Sequence, residues 1–372
     1  MRSKYIFILH TPPPFHGSSI VGELIKSSKV INQKKIIYLS NNGSKSVSKV
    51  NSFEIFKILN PLKNYILLIT YLISKNITAI YLAPSINGKS FLRDFIYVVI
   101  GKIFKTKIIL HLHNKGVYNN SKRAHYPILY KYFFKGSYCM VLSEKLRYDI
   151  SNYVEDKMIY ICQNGLRDEN RGEKFKNQNE VKVLWVSNLI KTKGILILLE
   201  AIQLIVQRNR TKKFSLTIVG ADGDIKKTEL QRIINEKKIQ TYVKLVGKKV
   251  GNDKYKLFED ASIFVFPTFY PLECLPLVLI EAMMFECALI STSEGGINDL
   301  LIDNENGFIC QKNSAQDLSL KLENLIEDHE KVKLFGQRSR KLFEQKFEIK
   351  KFENRFYNIL NSIESDVIRS KK

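Results

Sequence analysis

Short apolar runs alternate with amphipathic helical stretches along this chain, and the alternation occurs in two successive sets. The first set includes residues 5–9 and 107–113, and the second includes residues 181–187, 214–220 and 243–247. Uninterrupted apolar runs separated by helices are typical of parallel sheets that are covered on both faces. The pattern therefore predicts an α/β fold with two doubly wound sheets, and 372 residues exceed what one hydrophobic core usually supports.

A polar segment that is poor in hydrophobic residues, 167–174, separates the two sets. We place the domain boundary between Asn164 and Asn179, which predicts an N-terminal domain of residues 1–165 and a C-terminal domain of residues 166–349. Beyond Phe347, apolar residues recur at Phe352, Phe356 and Leu360. This spacing is close to that of one helix face and predicts a C-terminal helix.

Two carboxylates, Glu273 and Glu281, lie eight residues apart on either side of Pro276. Proline suits the first turn of a helix, so we expect the helix to begin between Cys274 and Pro276. Glu273 then lies in the loop before the helix, and Glu281 projects from its second turn. The helix N-terminus between them offers unpaired backbone N–H groups and the positive end of a dipole, which suit a phosphate.

The spacing alone is weak evidence, because two glutamates eight apart are often solvated surface charges. The flanks favour a site, since apolar runs at 261–267 and 288–292 read as strands on either side of the helix. The loop then lies at the carboxyl end of a strand, where open parallel sheets bind ligands. Carboxylates beside a phosphate site fit a ligand with a central diphosphate and hydroxyls at both ends, that is, a nucleotide sugar.

One segment resembles the signature region of the retaining glycosyltransferases of group 1, also called family 4. It runs from Phe266-Pro267-Thr268 through Glu273 and Glu281-Ala282-Met283 to Ser291-Thr292-Ser293-Glu294-Gly295-Gly296. The resemblance extends over nearly the full chain. It implies the GT-B architecture, in which two Rossmann-like domains face each other across a cleft and a C-terminal helix, here about residues 350–372, returns to the first domain. It also implies that Glu273 approaches hydroxyls of the donor sugar and that Glu281 binds the nucleotide ribose.

The same resemblance identifies Lys193 with the family lysine that clamps the donor diphosphate. Asn188 stands where the family has an arginine, so the donor clamp must depend on Lys193, Lys191 or backbone amides. We expect those amides around Leu275 and Leu277 at the start of the helix, and we include Pro276 between them among the donor-binding residues. As an alternative, Lys193 is an ordinary exposed cation at a helix start, a position that the helix dipole disfavours.

The N-terminal half contains two further candidate segments. Gly17 and Ser18 precede a helix that we expect to begin at Ile20, and small residues there allow a backbone approach to a ligand. The alternative is a plain N-cap. In the family a Gly-rich turn here faces donor phosphate and acceptor, which assigns Gly17 and Ser18 to donor binding.

A β-type run places His111 and His113 on one face of a strand. We find no Cys, Asp or Glu at ligand spacing nearby, so we expect no metal site. The resemblance implies that His113 faces the sugar and is catalytic, together with Lys193 and Glu273. We interpret His111 as a core residue.

Two further departures from the family pattern accompany Asn188. Cys274 stands where glycine is usual, and Glu286 lies where relatives have a small residue, Gly and Pro. These changes leave open an altered donor preference or a weak enzyme. A competing interpretation is a binding protein of GT-B type that uses a basic face for lipid or nucleic acid. A GT-B phosphorylase or epimerase is a further rival, although phosphorylases are larger and often need a pyridoxal phosphate lysine.

The positive charge is concentrated in the first half of the chain. Residues 1–178 hold 28 Lys and Arg against 10 Asp and Glu, a net charge of +18, whereas residues 179–372 carry +5. The electrostatic field of such a basic region attracts nucleic acid, anionic lipid or a phosphorylated acceptor. Apolar runs at 65–73 and 91–100 are shorter than the ~20 residues of a spanning helix. We expect peripheral attachment to an anionic bilayer and no nucleic-acid partner; the alternative is a lysine-rich soluble protein.

Five scattered cysteines suit free thiols in a reducing cytoplasm, and the apolar stretch after Lys4 is too short for a signal peptide. The prediction is therefore a cytoplasmic, retaining, metal-independent hexosyltransferase without a cofactor. Its donor is a nucleoside diphosphate sugar, and its acceptor is a glycan or a lipid-diphosphate-linked glycan. The resemblance implies biosynthesis of a surface polysaccharide such as capsule, O-antigen lipopolysaccharide or exopolysaccharide.

Overall fold

A computed structural model of the chain describes residues 4–13, 16–41, 53–74, 76–123, 125–170, 172, 180–208 and 213–369. These residues form two compact units, the first comprising 1–164 and 350–372 and the second 165–349. Pro14 and Phe15 in the loop before Gly17, and residues 171 and 173–179 of the polar segment, lie outside the described residues.

The first unit contains six parallel strands in the order β2-β1-β3-β4-β5-β6. The strands are almost wholly buried in the centre of the sheet, which explains their uninterrupted apolar sequences. The elements are β1 (Lys4–Leu9), α1 (Gly17–Ser27), β2 (Lys35–Ser40), α2 (Phe53–Ser74), β3 (Ala79–Leu82), α3 (Gly88–Ile103), β4 (Lys107–Leu112), α4 (Val117–Asn120), α5 (Tyr126–Phe134), β5 (Tyr138–Val141) and β6 (Ile159–Ile161).

The second unit repeats this architecture with six parallel strands in the order β12-β11-β10-β7-β8-β9. Every residue of the central strand β10 is buried. The elements are β7 (Val181–Val186), α6 (Ile195–Arg208), β8 (Phe214–Val219), α7 (Lys227–Glu236), β9 (Val243–Gly247), α8 (Asn252–Asp260), β10 (Ile263–Phe266), α9 (Leu277–Met284), β11 (Ala288–Ser291), β12 (Gly307–Ile309), α10 (Ala315–Glu327) and α11 (His329–Leu342).

The last helix, α12 (Ile349–Arg369), packs in the first unit. Its Phe356 ring lies 6.0 Å from Phe7 of β1 and 5.3 Å from Tyr81 of β3. Lys34 and Glu364 add an ion pair of 2.6 Å. The helix predicted from the spacing of Phe352 and Phe356 therefore exists, and both residues are fully buried.

The α/β prediction with two doubly wound sheets is confirmed. Two helix starts were predicted wrongly. The helix expected from Ile20 begins at Gly17, because the His16 side chain and Ser19 cap each other's backbone N–H groups in a capping box. The helix expected between Cys274 and Pro276 begins at Leu277. Within the described residues, no helix combines the length and apolar character needed to span a bilayer.

Candidate functional site

The loops after β7 and β10 meet at the topological switch point of the second sheet. These two strands are neighbours, and the strand order runs outward from them in opposite directions, through β8 and β9 on one side and through β11 and β12 on the other. Open parallel sheets bind ligands at the crevice that such a reversal creates. Lys193 follows β7 and Glu273 follows β10, so the fold brings these two predicted residues to one place.

Lys193 and Glu273 form an ion pair that is largely shielded from solvent. Lys193 Nζ lies 2.7 Å from Oε2 of Glu273, and the two side chains are only 14% and 10% exposed. The hydroxyl of Thr268 donates to the same oxygen at 3.2 Å. The ammonium also lies 4.2 Å from the centre of the Tyr270 ring, close enough for a cation–π interaction. Glu273 and Lys193 are therefore held in one defined geometry.

Burial and the Glu273 charge raise the pKa of the Tyr270 hydroxyl above its ordinary value. Tyr270 is therefore neutral near pH 7, and its ring presents an uncharged face to the ammonium. The Lys193 ammonium therefore contacts both the Glu273 carboxylate and the Tyr270 ring.

Two glycines allow the loops of this site to approach each other closely. Gly295 has a φ of +57°, and a Cβ there would lie 2.3 Å from the carbonyl oxygen of Glu273. The next residue, Gly296, donates its N–H to the carbonyl of Cys274 at 2.6 Å. Gly194 has a φ of +83°, and its Cβ would lie 2.1 Å from the carbonyl oxygen of Pro267. Glycine at position 295 is therefore required by the close approach of a protein backbone, that of the Glu273 loop.

The α9 N-terminus lies immediately after this loop. Pro276 is the N-cap and not the first helical residue, because its ψ of 119° is extended while its carbonyl accepts from Leu279 N–H at 3.1 Å. In the described part of the chain the N–H groups of Leu277 and Val278 have no hydrogen-bond partner. Leu275 is buried and Leu277 is half-buried. The helix start therefore leaves two backbone donors unpaired, one residue later than the sequence predicted the helix to begin.

Glu281, in the second turn of α9, forms a second buried ion pair. Lys254 of α8 lies with Nζ 2.5 Å from Oε1 of Glu281, and the side chains are 17% and 6% exposed. Tyr255 is adjacent, and burial followed by the Glu281 charge raises its pKa to about 12. The pair occupies one carboxylate oxygen of Glu281 and fixes the orientation of the other.

Asn188 lies in the loop after β7, and its side chain is exposed. The neighbouring Leu189 N–H is bonded to the carbonyl of Ala221 at 2.8 Å, which ties this loop to the end of β8. Lys191 is also exposed, whereas its backbone N–H donates to Asp224 Oδ1 at 2.8 Å. Of the three polar side chains expected around the diphosphate, only that of Lys193 is held by a partner within the site.

The remaining predicted site residues, Gly17, Ser18 and His113, belong to the first unit. Gly17 is the first residue of α1, it is exposed, and a Cβ added there would meet nothing within 4 Å. Ser18 is half-buried, with its hydroxyl 3.0 Å from Nδ1 of His16. Local packing therefore does not require glycine at position 17, and the small residue leaves open space at the helix start.

His113 directly follows β4, and its ring centre lies 4.2 Å from that of His111. Burial, followed by the charge of His16, lowers the pKa of His113 to about 4. His111 is fully buried as predicted, and its Nδ1 lies 2.7 Å from the Tyr81 hydroxyl. The imidazole of His113 is therefore neutral at pH 7 and can exchange hydrogen bonds without carrying charge.

Sequence reasoning missed three residues that build the second-unit site: Lys254, Thr268 and Tyr270. Thr268 and Tyr270 lie between β10 and Glu273, inside the segment that carries the resemblance, so their proximity to Glu273 could have been weighed. Lys254 gives no such signal. It lies in a polar helix 27 residues before Glu281, and only the packing of α8 brings the two together.

Residues 167–342 match the family model described as glycosyl transferases group 1. Poly(ribitol-phosphate) alpha-N-acetylglucosaminyltransferase of Staphylococcus aureus (strain COL) is 26% identical over 224 residues, 60% of this chain and 43% of that protein. Capsular polysaccharide biosynthesis glycosyltransferase CapM of Staphylococcus aureus is 28% identical over 227 residues, 56% of this chain and 57% of that protein. The matched part thus spans about half the length of these curated relatives.

A solved structure of HepE from Anabaena, in complex with UDP and glucose, superimposes with a TM-score of 0.71 and 14% identity. The superposition covers 97% of this chain and 100% of that one. At this level of identity the likeness shows the fold alone, which is the GT-B type with two Rossmann-like units.

Proposed function

Because residues 167–342 match the family model described as glycosyl transferases group 1, we propose that this protein transfers a glycosyl group from a nucleoside diphosphate sugar to an acceptor hydroxyl. The observation that carries the proposal is the shielded pair of Lys193 and Glu273 beside the N-terminus of α9, at the switch point of the second sheet. A cation, a helix start and a carboxylate are the groups that a sugar diphosphate requires.

Each group has a separate task in the proposed donor complex. An ammonium has three N–H donors, so Lys193 can stay bonded to Glu273 while it binds a phosphate oxygen. The N–H groups of Leu277 and Val278 bind the same diphosphate. Oε1 of Glu273 accepts from a hydroxyl of the donor sugar, and Oε2 of Glu281 accepts from the ribose, while Lys254 positions Glu281.

Catalysis in this proposal is stabilisation of the departing diphosphate. Negative charge develops on that group as the anomeric bond breaks, and fixed donors aimed at it lower the barrier. Lys193 and the α9 amides supply those donors, so the proposed reaction uses no metal and no cofactor. His113 is proposed to contact the sugar as a neutral imidazole.

We propose that the anomeric configuration is retained, as in the family that the signature resembles. Oε2 of Glu273 already accepts from Lys193 and Thr268, which suits a binding role better than nucleophilic attack. Without a nucleophilic carboxylate, retention requires the acceptor oxygen to approach on the face from which the diphosphate leaves. Analysis of the product anomer by NMR tests this step, and an inverted product would contradict it.

The proposed acceptor is a glycan or a lipid-diphosphate-linked glycan, and the proposed pathway is biosynthesis of a surface polysaccharide such as capsule, lipopolysaccharide or exopolysaccharide. The names of the two Staphylococcus aureus relatives support this class. The reaction is proposed to take place in the cytoplasm, at the inner face of the membrane.

The test is release of nucleoside diphosphate from a panel of nucleotide sugars, with and without glycan acceptors. Lys193→Met is expected to lower kcat/KM by about 100-fold or more, the effect of removing one donor to developing charge. Lys182→Met is the matched control, because it removes the same charge from an exposed pair, 3.6 Å from Asp260. Thermal unfolding of both variants separates loss of folding from loss of activity.

Equal activity of Lys193→Met and wild type would contradict the proposal. Binding of a nucleoside diphosphate without any transfer or hydrolysis across the panel would favour the competing function, a binding protein of GT-B type. Asn188 and Cys274, which depart from the family pattern, are the residues that such a result would implicate.

A further inference from the structure

The outer faces of α2 and α3 are apolar although they face solvent. On α2 the exposed residues Leu62, Ile66 and Ile73 follow a spacing of four and seven, which places them on one side of the helix. On α3 Leu92, Ile96 and Ile103 repeat this spacing. We name these six side chains the α2–α3 ridge; they are between 42% and 72% exposed.

The ridge is one continuous surface because α2 and α3 lie side by side on the same face of the first sheet. The strand order places the β2-to-β3 and β3-to-β4 crossovers in the same direction, and right-handed crossovers then put both helices on one face. The Tyr65 hydroxyl of α2 donates to the Arg93 carbonyl of α3 at 3.0 Å, which confirms the contact.

The core of the unit does not need these side chains. The residues Phe91, Tyr97 and Val98 of α3 are already buried within the unit. Phe91 packs on aromatic rings of α5, and Tyr97 packs on Tyr65 of α2. Of the fifteen exposed large hydrophobic residues that the structure describes, eight lie on α2, α3 or the neighbouring α5. Such concentration marks an interaction surface.

The excess of Lys and Arg around the α2–α3 ridge indicates which kind of partner would cover it. Residues 61–135 contain twelve Lys and Arg and a single carboxylate, Asp94. Asp94 is fully buried, pairs with Arg93 at 2.8 Å and accepts a bond from the Ser85 N–H. The stretch therefore exposes cations such as Lys63, Lys131 and Lys135, and in the part of the chain that the structure describes none of these three lies in an ion pair.

We propose that the α2–α3 ridge docks on an anionic lipid bilayer, with its apolar side chains among the acyl chains and the surrounding lysines at the headgroups. Apolar anchors and a basic rim are the two signals that peripheral attachment combines. This inference deepens the proposed function by naming the surface through which a lipid-linked acceptor would be reached, and it rests on that function only for the acceptor.

The experiment is co-sedimentation of the full chain with vesicles of phosphatidylcholine containing phosphatidylglycerol, at low and high salt. Wild type is expected to bind, more weakly at high salt and on phosphatidylcholine alone. Leu92→Ser combined with Ile96→Ser is expected to lower partitioning by about tenfold, since two half-exposed side chains lose their burial in lipid. Leu320→Ser combined with Leu334→Ser is the matched control, with similar exposure in the second unit.

Partitioning of the ridge variant equal to wild type would overturn the inference, as would absence of binding at low salt. A concentration-dependent dimer that the ridge variant abolishes, measured by analytical ultracentrifugation, would also overturn it and assign the ridge to a second copy of the chain. Donor hydrolysis by the ridge variant is expected to equal wild type. Vesicle binding needs no sugar transfer, so failure of the proposed function would leave this result unaffected.

Discussion

Variants of the Lys254–Glu281 pair are predicted to affect thermal stability and donor binding separately. Lys254→Met removes the cation and leaves a carboxylate that is only 6% exposed without its partner. Removing one partner of a buried ion pair costs about 3–5 kcal/mol, because the remaining charge is desolvated and uncompensated. The second unit comprises residues 165–349, a size for which each kcal/mol lowers the Tm by about 2–4 °C. We expect the transition of this unit to fall by roughly 10 °C.

Combining Lys254→Met with Glu281→Leu is expected to restore most of the lost stability, since apolar residues of similar volume often replace a buried pair without cost. Donor binding should not recover. Loss of the carboxylate removes a hydrogen bond between a charged group and the ribose, worth about 1.5–3 kcal/mol, or about 10- to 150-fold in donor Kd.

Differential scanning calorimetry and titration calorimetry with the nucleoside diphosphate measure the two effects. Lys321→Met is the matched control, because it breaks a more exposed pair with Asp317 on α10. A fall in Tm no larger than that of the control would refute the desolvation argument. Wild-type donor affinity in the stable double variant would refute the assignment of Glu281 to the ligand.

Two further predictions concern the pH response and the loop packing. The pKa of His113 is lowered by burial from 6.5 to about 4, so the unfolded chain binds this proton first as the pH falls. The stabilising contribution of neutral His113 is fully present above pH 6.5, and about 2 kcal/mol of unfolding free energy is lost by pH 5. Urea denaturation at a series of pH values should show a shallower loss of stability for His113→Gln than for wild type. Equal slopes for the two proteins would contradict this. Gly295→Ala places a Cβ 2.3 Å from the Glu273 carbonyl oxygen at a φ of +57°. We therefore expect a loss of at least about 1 kcal/mol in stability, together with weaker donor binding. Gly136→Ala is the control, because Gly136 has a positive φ but open space around it, and this variant should affect stability alone.

The chain's sequence by itself predicted the strands named above and the segment that carries the candidate site. The apolar runs of β7 and β10 are short and bounded by loops, which favours strands, and the structure buries all of β10 and four of the six residues of β7. Pro276 and the helical pattern after it predicted the start of α9 to within one residue of its position. Helix starts were missed by one to three residues because caps are set by individual side-chain bonds, such as that of His16 with Ser19.

Tertiary structure alone decided which charges meet. Lys193 and Glu273 are eighty residues apart, and only the pairing of β7 with β10 makes them neighbours. The partner of Glu281 was likewise invisible, because a lysine in a polar helix looks the same whether solvent or a carboxylate surrounds it. The α2–α3 ridge shows the same limit: apolar spacing predicts a face to be buried, but the sequence does not say whether the chain's own core or another surface buries it. Pattern is local along the chain, whereas ion pairs and solvent exposure depend on which distant segments the sheet topology brings together.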